Sequence, residues 1–122
     1  MDFSLTDEQR MLADSVARVI RDRHDFPSWR RVAMGEEEPD AALWREMAEL
    51  GWLGILVPER CGGLGGSAVD MMVLMEGLGR GLLADPVVET AVSGATLLAR
   101  APAPRDALLE AIAGGACRLA LA

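Results

Sequence analysis

A chain of 122 residues that is 51% hydrophobic and 25% charged carries enough apolar side chains for one packed domain, and its 13 glycines and 6 prolines follow no period, which excludes a collagen-like or low-complexity chain. The formal net charge is −7, from 19 acidic residues against 12 basic ones, every one of them arginine. Scattered arginines in an acidic chain lack the basic stripe of a nucleic-acid binder, and the absence of lysine excludes a P-loop and Schiff-base chemistry.

No run approaches the roughly 18 apolar residues that cross a bilayer. The opening Met1-Asp2-Phe3-Ser4 has no basic region followed by an apolar stretch, as a secretory leader would. A cytoplasmic protein without a membrane span is the expectation. Cys61 and Cys117 lie far apart and His24 is the sole histidine, so neither a metal site nor a histidine relay is expected.

The first helix is predicted to start at Thr6-Asp7-Glu8-Gln9, where threonine and the glutamine three residues on can cap each other's backbone. Its apolar face, Leu12, Val16, Val19 and Ile20, runs to about Arg23. Periodicity weakens from His24 to Pro39, with room for a short helical turn at Pro27 to Val32 and a solvated connection at Glu36-Glu37-Glu38. Asp40 then caps a helix whose inward face carries Leu43, Trp44, Met47 and Leu50, and Gly51 ends it in a left-handed conformation.

The apolar run Trp52 to Val57, closed by Pro58, is too short for periodicity to type and reads as a buried extended or irregular connector. Cys61-Gly62-Gly63-Leu64-Gly65-Gly66 reads as a tight loop, and Ser67 with Asp70 caps a helix bearing Met71, Met72, Leu74, Met75 and Leu78. Asp85-Pro86 opens the next helix through Val88, Ala91, Val92, Ala95 and Leu98. A fifth spans Pro104 to Ala113, and Cys117 to Ala122 resembles half of a strand without a partner. The fold class is therefore all-α: about five helices in an orthogonal or up-and-down bundle, with a glycine-rich crossing, ending at half of a strand that would lie just inside a next domain.

Three features invite chemical readings. Gly63-Leu-Gly65-Gly-Ser-Ala68 formally matches a dinucleotide fingerprint with Asp85 about 20 residues on, but Pro58-Glu59-Arg60-Cys61 separates the apolar run from the glycines and no parallel strands follow, so a structural glycine turn is favoured. Met47, Met71, Met72 and Met75, like Trp29, Trp44 and Trp52, read as packing before they read as ligand contacts. Arg60 beside Cys61 would favour a thiolate, yet no histidine lies near in sequence to serve as its base.

The order of segments is more informative than any one of them. Phe3-Ser-Leu-Thr-Asp-Glu-Gln9, Glu49-Leu-Gly-Trp-Leu-Gly-Ile55, Pro58-Glu59, Gly62-Gly-Leu-Gly65 and Met75-Glu-Gly-Leu-Gly-Arg80 together resemble the N-terminal helical domain of acyl-CoA dehydrogenases, from Asp2 to about Gly115. The resemblance implies a helical domain over residues 1–115 and entry into a middle β-domain at 116–122. It also implies FAD held mainly by domains absent from this chain, and a catalytic glutamate outside it, so no catalytic residue is assigned here.

By the same resemblance the complete enzyme performs α,β-dehydrogenation of an acyl-CoA thioester in fatty acid metabolism, and passes electrons to an electron-transfer flavoprotein or similar acceptor. It would be a homo- or hetero-oligomer, and the fragment alone would be inactive. The part that this domain contributes is one wall of the acyl pocket, with Val88, Ala91, Val92 and Ala95 as the substrate-binding candidates. Two departures stand out: Cys61 occupies a position that is usually aromatic, and Gly81 to Glu89 is closer to bacterial members that act on unusual acyl groups. The alternative from another class is a non-catalytic helical interaction module with the same bundle.

Overall fold

The computed structural model describes residues 2–103 and 105–120. Met1 of the expected helical domain, Pro104 of the expected fifth helix, and Leu121 and Ala122 of the expected strand lie outside the described residues. All regular structure among the described residues is helical. Six α-helices follow in order: α1 (Asp7–Arg23), α2 (Phe26–Ala33), α3 (Ala41–Glu49), α4 (Ala68–Arg80), α5 (Ala95–Ala99) and α6 (Asp106–Ala113). Two 3-10 turns, Trp52–Gly54 and Glu59–Cys61, fill the connection from α3 to α4, and a π-helix, Val88–Gly94, runs directly into α5.

The chain divides into two compact units. The first comprises residues 1–39 and 72–84, and so holds α1, α2 and most of α4. Helix α1 starts at the reciprocal box the sequence prescribes: the Gln9 amide donates to the Thr6 hydroxyl and the Thr6 amide to Gln9 Oε1. Asp25 accepts from the Ser28 amide to start α2, which is a full helix of eight residues where a single turn was expected. Phe26 and Trp29 stack at 5.2 Å on its surface. Glycine sets the approach of α4 to α1, because a Cβ on Gly77 would collide with Val16 and one on Gly81 would lie 2.6 Å from Ile20.

The second unit comprises residues 40–71 and 85–122. Asp40 caps α3 through the Ala42 amide, and Gly51 takes the expected left-handed conformation at φ 79°. Trp52 to Val57 is buried as expected, but it coils through a 3-10 turn and does not extend, since the Gly54 and Val57 amides each bond three residues back. Ser67 and Asp70 cap each other at the start of α4. The core gathers Leu43, Trp44, Met47, Leu53, Leu109 and Ile112, all at most 3% exposed. Met72, expected inside, is 53% exposed.

Two further expectations change. The helix read as continuous from Pro86 to Leu98 is a π segment running into α5, and the sixth α-helix beside the five expected is α2, where only a turn was read. Residues 116–120 form no strand; side chains of the second unit hold them instead, as described below.

Candidate functional site

The glycine loop was the most conspicuous candidate, and its geometry is structural. Its amides are satisfied by the chain's own carbonyls: Gly62 by Glu59, Gly63 by Pro58, Leu64 by Gly54, Gly65 by Val57 and Gly66 by Ile55. A Cβ on Gly63 would be driven into the Val57 carbonyl oxygen. The glycines therefore let backbone pack on backbone, and no set of amides is turned outward to cradle a phosphate.

Cys61 lies at the edge of this loop, 1% exposed, beside an open cavity of about 420 Å³ that Gly62, Glu110, Ala113 and Gly114 also line. Arg60 donates from Nη1 to the Cys61 sulfur at 3.0 Å and to Asp106 at 2.7 Å. Burial nevertheless pushes the thiol up from its ordinary value, and the bond to Asp106 pushes the same way, outweighing the Arg60 charge. A thiol held in its protonated form is a poor nucleophile. In the first unit, an apolar groove between α1 and α4 is lined by Ala13, Ala17, Ile20, Met72 and Gly77, and the charges at its rim pair with neighbours, Arg80 with Glu76 and Arg21 with Asp22.

The four residues singled out on the helix after Pro86 are placed differently from one another. Ala91 and Ala95 are fully buried, and Ala95 belongs to a cluster with Val57, Cys61, Leu109 and Ile112. Val92 is half-buried, and Val88 is 47% exposed. The π geometry is the physical reason they do not share one face. The Ala95 amide reaches back five residues to the Thr90 carbonyl, and the buried stripe becomes Val87, Ala91 and Ala95, spaced by four, with Thr90 and Gly94 beside it.

Thr90 was missed by sequence reasoning. Its only signal was a polar residue set within an apolar stripe. Among the described residues it is the polar side chain that is fully buried, at 0% exposure. The Leu119 amide donates to its hydroxyl at 2.9 Å, and the hydroxyl is 3.4 Å from the Leu119 carbonyl. The same terminal segment is held at three more places. The Trp44 indole donates to the Gly115 carbonyl at 3.1 Å, the Arg118 guanidinium lies 4.5 Å from the centre of the Trp44 ring, and Arg118 Nη2 is 3.6 Å from Asp85, whose side chain is 5% exposed.

Comparison with known proteins gives this geometry a context. The family model described as "Acyl-CoA dehydrogenase, N-terminal domain" matches residues 6–114. The chain is 34% identical over 112 residues to the acyl-CoA dehydrogenase IpdE2 of Mycobacterium tuberculosis, covering 90% of this chain and 35% of that protein. It is 38% identical over 81 residues to the benzylmalonyl-CoA dehydrogenase of Aromatoleum aromaticum, covering 66% of this chain and 21% of that one. Among solved structures, the ChsE4-ChsE5 complex from Mycobacterium tuberculosis superposes with a TM-score of 0.82 at 27% identity, over 94% of this chain and 32% of the matched chain. The chain thus spans about a third of the length of the first of these relatives.

Proposed function

The chain belongs to the acyl-CoA dehydrogenase family, as an N-terminal domain, and from that premise we propose that it serves FAD-dependent α,β-dehydrogenation of an acyl-CoA thioester by supplying one wall of the acyl pocket. The observation that carries the proposal is the π-helix. It turns Ala91 and Ala95 into the bundle as small, close-packing residues and leaves Val88 and Val92 as apolar side chains at its open side. An apolar wall on a rigid element is what a pocket for a hydrocarbon chain needs, since such pockets are lined mainly by hydrophobic side chains.

The glycine loop does not fit the phosphates of FAD. It has spent its amides on its own carbonyls and its inner space on Val57. Cofactor holding and the catalytic base are accordingly assigned to other domains, residues 116–122 to the approach to a middle β-domain, and residues 1–115 to the helical domain. No catalytic residue is assigned in this chain. The complete protein is proposed to be a cytoplasmic oligomer that passes electrons to an electron-transfer flavoprotein or similar acceptor; no described helix is long and apolar enough to cross a membrane.

The test is anaerobic mixing of the full-length protein with acyl-CoA thioesters. Bleaching of bound flavin with formation of one enoyl-CoA per flavin supports the proposal, while the 122-residue chain alone should be colourless and inactive. A full-length protein without flavin, unresponsive to any acyl-CoA, would favour the non-catalytic interaction module.

A further inference from the structure

We propose that Thr90 is a positioning residue: by clamping Leu119 it fixes the π-helix, and with it the Val88 and Val92 wall, to the segment that leaves the helical domain. The inference rests on the proposed function for its catalytic consequence and on geometry alone for the clamp.

Thr90 makes two connections at once. Its backbone carbonyl accepts the five-residue bond from the Ala95 amide, so it lies within the wide turn itself. Its hydroxyl accepts the Leu119 amide at 2.9 Å and faces the Leu119 carbonyl at 3.4 Å, so one side chain meets both polar groups of one residue as a neighbouring strand would. Gly94 completes the seat, because a Cβ there would lie 2.7 Å from Leu119 Cδ1 and 3.0 Å from the Glu89 carbonyl oxygen. Trp44 and Asp85 grip the same segment through Gly115 and Arg118.

A fully buried hydroxyl is an expensive way to fill space unless its hydrogen bonds are needed, and a valine of the same shape would fill the site equally well. What the hydroxyl adds is a fixed register between Leu119 and the helix. A shift of Leu119 is therefore transmitted to the turn that carries Val88 and Val92, and small displacements of groups that position a substrate have large effects on rate.

The test uses the full-length protein as Thr90→Val, which keeps the shape and removes the hydroxyl, and Thr90→Ser, which keeps the hydroxyl. Amide hydrogen exchange is read at Leu119 beside kcat/KM for a long and a short acyl-CoA. In Thr90→Val the Leu119 amide should exchange about tenfold faster, and the long-to-short ratio of kcat/KM should change about fivefold, with Thr90→Ser close to the parent in both. Unchanged exchange in Thr90→Val would overturn the clamp. Faster exchange with an unchanged ratio would overturn the positioning role. A parent protein that turns over no acyl-CoA would instead sink the proposed function, and the Leu119 exchange would still decide the clamp, so the two failures are told apart.

Discussion

One guanidinium nitrogen of Arg60 lies 2.7 Å from Asp106 Oδ1 and 3.0 Å from the Cys61 sulfur, joining the turn before the glycine loop to the first turn of α6. The Arg60 hydrogen bond holds the Asp106 carboxyl below its ordinary value of 3.8. A carboxyl whose folded pKa is depressed adds stability that is present above the unfolded value and is lost as pH falls through the folded one. Asp106→Asn should therefore lower the melting temperature modestly at pH 7, both side chains being about half exposed. The gap to the parent should close as pH drops below about 3.8. A gap independent of pH across that window would show that the carboxylate charge is not what Arg60 uses.

Glycines that look alike in sequence should respond in opposite directions. Gly63→Ala places a methyl group against the Val57 carbonyl, which is backbone and cannot swing aside, so a loss of about 3 kcal/mol or more is expected in denaturant unfolding. Gly79, within α4, has open space where a methyl group would stand beyond the helix's own backbone, and Gly79→Ala should gain about 0.5 to 1 kcal/mol from helix propensity. Equal effects of the two would contradict the assignment of the loop glycines to close packing.

Much of the fold is legible in the residues themselves, and the reason is local. Thr6 with Gln9, Asp40, Gly51 and Ser67 with Asp70 act through bonds to amides two or three residues away or through their own φ, so the sequence carries the whole interaction. The π-helix was not legible, because apolar spacing is read against a 3.6-residue period, and a wide turn moves Val88 outward without changing a letter of the pattern. Residues 116–120 looked like half a strand because nothing near them in sequence reveals that Thr90, 29 positions away, supplies the partner. For the helix after Pro86 the pattern did not separate inward from outward residues: Ala91 and Ala95 are buried, while Val92 is half-buried and Val88 exposed.

Ala95 illustrates that separation. It is fully buried among Val57, Cys61, Leu109 and Ile112, so Ala95→Phe should overpack the second unit and cost about 1 to 3 kcal/mol. In the full-length protein the loss should appear as a lower melting temperature and, under the proposed function, as less active protein for every substrate alike. An Ala95→Phe enzyme of unchanged stability that discriminates against long acyl chains would show that this residue meets the substrate.

Val92 is half-buried at the edge of the π-helix, where a larger side chain has room to turn outward. The chain-length profile of kcat/KM for Val92→Phe in the full-length protein, read beside its melting temperature, tests the pocket wall directly. A phenyl ring in the acyl channel takes space that only the longer substrates use, so long acyl-CoA thioesters should lose about tenfold or more in kcat/KM while short ones keep theirs and the melting temperature holds. An unchanged profile in an equally stable variant would contradict the account and leave this helix a purely structural part of the bundle.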